Sequence, residues 1–211
     1  MTKDSSAPDD LLRRAADGDQ EAVADLFAHY RDRLRRMVLL RLDRRLQGKI
    51  DPSDVLQEAY LDLARRAKEI GKKPALPFFL WLRLLTGQRL LAIHRRNFGT
   101  RMRDVGQEVA LLHGAMPQAT SASLAAQLLG RFTSPSLAAM RAEMKLRLQE
   151  ALNSMDPIDR EVLVLRHFEE LTNTEAAEVL GLQKTAASNR YIRALKRLRS
   201  ILQSMPGFAE T

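Results

Sequence analysis

Apolar residues recur three and four positions apart along nearly the whole chain, the spacing that gathers side chains on one face of an α-helix. Alternating strand-like runs are absent and glycine is sparse, so the pattern predicts an all-α protein. Over residues 9–29, Leu11, Leu12, Ala15, Val23, Leu26 and Phe27 keep helical spacing after Asp9-Asp10, with a break at Gly18. Residues 30–46 continue it through Leu34, Met37, Val38 and Leu42, and Gly48 ends the segment. In IDPSDVLQEAYLDLARRAKE, Asp51 is the expected N-cap, Pro52 the first helical residue, and Asp54 a carboxylate near the positive helix end. Val55, Leu56, Ala59, Tyr60 and Leu63 form its inner face. Asp54, Glu58 and Asp62, four apart, predict an acidic stripe. A long helix follows over 78–97, with Phe79, Leu82, Leu85, Leu90 and Ile93 inward.

Residues 104–134 change character. Charge becomes rare and Gly, Ala, Ser and Gln rise, so the stretch reads as a linker between two small helical domains, with Leu124 and Leu128 marking a short helix at most. Beyond it, Ser134-Pro135 opens a helix through Leu137, Met140, Met144, Leu148 and Leu152. Asp156-Pro157-Ile158-Asp159 opens another, repeating the device of residues 51–54. Thr133 to Ser136 reads first as an N-cap and second as a phosphorylation site for a regulatory kinase.

The stretch LTNTEAAEVLGLQKTAASNRYIRAL reads as helix, turn, helix. Thr172 or Asn173 caps the first helix, with Glu175 in its first turn. Ala177 is small where two helices pass closely, and Gly181 suits the positive φ of a tight turn. At about 100° per residue, Ala187, Tyr191, Leu195 and Leu198 share one face of the second helix. Thr185, Asn189, Arg193 and Lys196 lie opposite. Leu182 to Arg199 holds six cations and no anion, which suggests that a polyanionic partner supplies the negative charge.

The whole chain supports that partner: 34 Lys and Arg against 26 Asp and Glu give a formal charge of +8, with an isoelectric point of about 10.2. From Arg83 to Arg103 there are six arginines and no acid. Cysteine is absent, which excludes disulfides, thiolate metal sites and cysteine nucleophiles. The four histidines show no metal-ligand spacing, and there is no nucleophile elbow, P-loop or Rossmann glycine pattern. The expectation is therefore no enzyme, no cofactor and no metal. No apolar run approaches the roughly 18 residues of a membrane span, and MTKDSSAPDD is unlike a signal peptide, so a cytoplasmic protein without a membrane partner is expected.

Three segments, in order, resemble bacterial extracytoplasmic-function (ECF) sigma factors. MDPIDREVLVLRHFEELTNTEAAEVLGLQKTAASNRYIRALKRLR resembles their region four, IDPSDVLQEAYLDLARR their core-binding helix of region two, and FFLWLRLLTGQRLLAIHRRNFGTRMRD their promoter-melting segment. The resemblance implies region two over 9–103, a linker over 104–134 and region four over 135–203. It implies binding to core RNA polymerase and promoter DNA, with control by an anti-sigma protein or kinase open. Lys184, Thr185, Ser188, Asn189, Arg190, Arg193 and Lys196 are then the expected readers of the minus-thirty-five element. His94, Arg95, Arg96, Asn97, Arg101 and Arg103 are expected on the minus-ten side, with Phe98 or Trp81 stacking on an unpaired base. Asp51, Asp54, Gln57 and Glu58 form the expected polymerase-docking face. Gln183 departs from the family where a good helix cap is usual, and Ala186 and Ala187 replace commoner residues. A free-standing helix-turn-helix regulator is the alternative, opposed by two unlike DNA-facing halves and the lack of an evident dimer helix.

Overall fold

The computed structural model describes residues 7–69, 77–98, 116–117, 119–132 and 138–204. The elements are α1 (Ala7–Ala16), α2 (Gln20–Arg41), α3 (Pro52–Arg65), a 3-10 turn (Ala67–Glu69) and α4 (Phe78–Phe98). They continue with α5 (Ser121–Phe132), α6 (Ala138–Asn153), α7 (Pro157–Leu163), a π-turn (Val164–Phe168), α8 (Asn173–Leu180) and α9 (Lys184–Gln203). The fold is all-α, and among the described residues no strand is present beyond the isolated bridge of Gln47 and Ile50.

Two compact units divide the chain. The first takes α1, α2 as far as Val38, α3 and α4; the second takes Leu39–Arg44 and α5 to α9.

In the first unit, Gly18 at φ +96° breaks α1 from α2, a conformation that favours glycine. Asp19 then caps α2, accepting from the backbone N–H of Glu21 (2.9 Å) and Ala22 (3.1 Å) and from Arg14 Nε (2.8 Å). Asp51 caps α3 through Ser53 N–H at 2.7 Å, with Pro52 following it as expected. Val55, Leu56, Ala59 and Leu63 are buried, and the Tyr60 ring packs edge-on against Phe27 at 5.3 Å. Helix α4 is buried on every face from Phe79 to Gly87, the signature of a central helix rather than a surface one. Trp81 is part of that core.

The second unit builds its core from Leu40, four residues of α5, Leu148 and Leu152 of α6, Leu163, Val164 and Phe168, and Ala194, Leu198 and Ile201 of α9. Helix α5 lies inside the stretch assigned above to a linker, and it is packed: Leu124, Ala125, Leu128 and Leu129 are all buried. Their spacing makes one apolar stripe, which low charge alone disguised as a linker. The unit also holds a buried cation. Arg41 Nε and Nη2 donate to Glu169 Oε1 at 2.9 and 2.6 Å, Nη2 also to Glu161 Oε1, and Nη1 to the Pro117 carbonyl at 3.0 Å. Burial by itself pushes the Arg41 guanidinium down, but Glu161 and Glu169 outweigh it and hold the group above its ordinary value.

Candidate nucleic-acid interface

Helices α8 and α9 build the interface from local chemistry. Thr172 is the cap of α8, and the capping box is complete: Glu175 N–H donates to Thr172 Oγ1 (3.2 Å), and Thr172 N–H to Glu175 Oε2 (2.7 Å). Gly181 ends α8 at φ 62°, ψ 31°, in the left-handed region, and Leu182 N–H reaches back to the Ala177 carbonyl at 2.8 Å. Gln183 starts α9 without a side-chain cap bond. Asn173 Nδ2 instead donates to the Lys184 carbonyl at 2.9 Å, tying the start of α8 to the start of α9.

Helix α9 buries Ala187, Ala194, Leu198 and Ile201, with Tyr191 half-buried among them. This corrects the expected inner face. Leu195 is 37% exposed, and Ala194 takes its place because the buried stripe steps by four, three, four and three along the helix. On the other side Lys184, Thr185, Asn189, Arg193 and Lys196 are exposed, while Ser188 and Arg190 are half-buried. The exposed set is a row of donors at a helix start followed by cations, chemistry that suits base edges and phosphates.

The helix is not wholly without anions. Asp159, in the first turn of α7, accepts from Arg190 Nη1 at 2.7 Å and from Arg193 through Nε at 2.6 Å and Nη2 at 2.7 Å. Its carboxyl lies below the ordinary carboxylate range, chiefly through the hydrogen bonds from Arg193, against burial and with help from Arg190. Asp156, the cap of α7, lies 3.7 Å from Arg190. The absence of acids within α9 therefore has a partly internal explanation, which the sequence reading missed. The signal was a second carboxylate, Asp159, just after Asp156-Pro157 and upstream of a helix that carries cations and no acid.

The predicted acidic stripe of α3 is shorter than expected. Asp62 is buried, paired by both carboxylate oxygens with Arg89 of α4. Glu58 is half-buried, 3.9 Å from Arg89. Asp51, Asp54 and Gln57 are exposed, Asp51 being engaged as a cap.

At the end of α4 the expected minus-ten residues separate. His94 is buried, its ring edge-on to Phe98 at 6.1 Å, so it belongs to the packing rather than to a surface. Arg95 is half-buried with Nε lacking a hydrogen-bond partner, and Arg96 and Asn97 are exposed. Asn97 Nδ2 donates to the Ile93 carbonyl at 2.8 Å. Phe98 is 38% exposed, with the Arg45 guanidinium 3.9 Å from its ring centre. Arg101 and Arg103 lie outside the described residues, as do Thr133 to Leu137.

Comparison with known proteins points to one family. The family Sigma-70, region 4 matches residues 145–198, which contain α7, the π-turn, α8 and most of α9. The chain is 27% identical over 201 residues to the ECF RNA polymerase sigma factor SigK of Mycobacterium tuberculosis (strain H37Rv), covering 94% of this chain and 95% of that one. It is 29% identical over 198 residues to the ECF RNA polymerase sigma factor ShbA of Streptomyces griseus, covering 92% and 94%. These matches support an ECF sigma factor. The helix-turn-helix, as far as residue 198, accordingly falls in the segment matched to region 4, the DNA-binding region of that family. The solved structure of CnrH in complex with the cytosolic domain of CnrY shares the fold, with a TM-score of 0.54 and 22% identity over 94% of this chain and 98% of that one. Among the described residues, no helix is long and apolar enough to cross a membrane.

Proposed function

We propose that this sigma factor of transcription initiation binds core RNA polymerase and directs it to specific promoters in the cytoplasm. The observation that carries the proposal is the exposed row Lys184, Thr185, Asn189, Arg193 and Lys196 on the second helix of a helix-turn-helix matched to region 4. Ser188 and Arg190 flank that row, and the seven residues together read the minus-thirty-five element from the major groove. Region two, over 9–103, supplies the other contacts. Arg95, Arg96, Asn97, Arg101 and Arg103 follow the minus-ten strand, with Phe98 as the stacking ring and His94 holding that ring in place. Asp51, Asp54, Gln57 and Glu58 dock on the polymerase, where exposed carboxylates on a basic protein suit a basic protein surface and repel DNA.

A regulatory protein partner is part of the proposal, since CnrH is seen in complex with the cytosolic domain of CnrY. We assign the chain no catalytic residue, cofactor or metal.

The test is run-off transcription from candidate promoters with purified core polymerase, with and without this protein. Specific initiation that needs both components supports the proposal. DNA binding by the protein alone, with no initiation, favours the free-standing regulator.

A further inference from the structure

Asp159 does more than pair with nearby cations. Its side chain is 8% exposed, and its two oxygens accept three hydrogen bonds from α9. Two of them form a fork with Arg193: Oδ2 takes Nε–H and Oδ1 takes Nη2–H. A guanidinium carries five N–H donors in one plane. The fork uses the inner edge and leaves both hydrogens of Nη1 and the second of Nη2 unspent on it. That outer edge is the one that meets O6 and N7 of a guanine in a bidentate contact. While clamped, the Arg193 side chain stays 60% exposed. Arg190, by contrast, is 27% exposed and also lies near Asp156, so it is the inner member of the group.

We propose that Asp159 is a positioning residue for base reading: it fixes the plane of the Arg193 guanidinium before DNA arrives, so that Arg193 selects a guanine in the upstream element. This rests on the assignment of α9 to DNA. A free arginine has many rotamers and finds any phosphate as readily as a base; a clamped one has lost most of that freedom in advance. The carboxylate also offsets one positive charge at the surface, which weakens attraction to DNA of any sequence. Both effects favour discrimination over bulk affinity.

The experiment uses the full chain with bacterial core polymerase and a duplex library randomised over the upstream element. Selected and scrambled duplexes are then compared across a salt series. Asp159→Asn, Arg193→Lys and the double variant are tested beside the wild type. Arg193→Lys changes an exposed position and keeps its charge, so it reports on reading even where Asp159→Asn lowers stability. Asp159→Asn is expected to lose roughly tenfold in preference for guanine, the scale of one bidentate base contact. Its binding to scrambled duplex should rise, with a salt slope steeper by about one. Arg193→Lys should lose the same preference without the rise, and Asp159→Asn added to it should cost no further preference. The inference is overturned if Asp159→Asn keeps the wild-type preference, or gains in it. It is also overturned if the loss is as large on the Arg193→Lys background, which would make Asp159 purely structural. A wild type that selects no sequence at all removes the DNA-reading assignment itself, and this inference with it.

Discussion

Arg41→Ala is the most demanding substitution for the second unit. The Arg41 side chain is 1% exposed and Glu169 is fully buried, while Glu161 is 13% exposed. The substitution leaves two carboxylates without their cation in a region poorly reached by water. Breaking a buried ion pair from one side costs about 3–5 kcal/mol. The Pro117 carbonyl loses a donor as well, worth about 1 kcal/mol. Against a typical domain stability of about 5–15 kcal/mol, roughly a quarter or more is at stake. Urea unfolding followed by helical circular dichroism measures the loss. Trp81, the sole tryptophan, lies in the first unit, so its fluorescence supplies a separate trace and shows whether the transitions coincide. Arg41→Lys should recover only part of the loss, because an ammonium cannot present the same planar fork to three oxygens. A midpoint shift for Arg41→Ala equivalent to less than about 1 kcal/mol would refute the reasoning, since it would mean that the cluster contributes no more than a surface pair.

Four further outcomes are expected. Asn189→Ala should cost about 1–3 kcal/mol in discrimination of the upstream element, measured as the ratio of run-off product from intact and altered promoters. Asp54→Arg should weaken binding to core polymerase in a sedimentation or fluorescence-anisotropy titration while leaving the helical content unchanged. Thr172→Ala breaks the capping box of α8 and should destabilise the protein by about 0.5–2 kcal/mol in urea. Finally, the folded-state pKa of Asp159 is lowered, so its contribution is complete above the unfolded value near 4 and is lost as pH falls through the lower folded value. The stability gap between wild type and Asp159→Asn should therefore be flat from neutral pH to about 5 and shrink below about 4; a gap that widens on acidification would contradict the pairing.

Local chemistry was readable from the sequence. Asp51 with Pro52, Asp156 with Pro157, Thr172 with Glu175, and Gly181 at the turn all act on neighbours within a few residues, and all do what their positions predict. So does the break at Gly18. What escaped the reading are pairings across long separations. Arg41 looked like one cation among many in residues 30–46, yet its partners lie 120 and 128 positions away. Asp62 matched a stripe with Asp54 and Glu58, but Arg89, 27 positions on, pulls it inward. The choice of Ala194 over Leu195 as the buried residue of α9 turns on a rotation of one position, which periodicity alone does not fix when Leu is the more apolar of the two. For the site, the exposed face of α9 was legible from helical geometry, whereas the clamp on Arg193 comes from another helix and was not.

Helix α2 has a consequence for anyone cutting this protein into pieces. Its last turn, with Leu40 and Arg41, contributes core and charge to the second unit although it precedes most of that unit by many residues. A fragment beginning after the first unit's last helix omits that turn and keeps Glu161 and Glu169 without it. Such a fragment should be a poor stand-in for region 4, and a short synthetic peptide covering the end of α2 should improve it in trans, in the manner of a split protein regaining its missing piece.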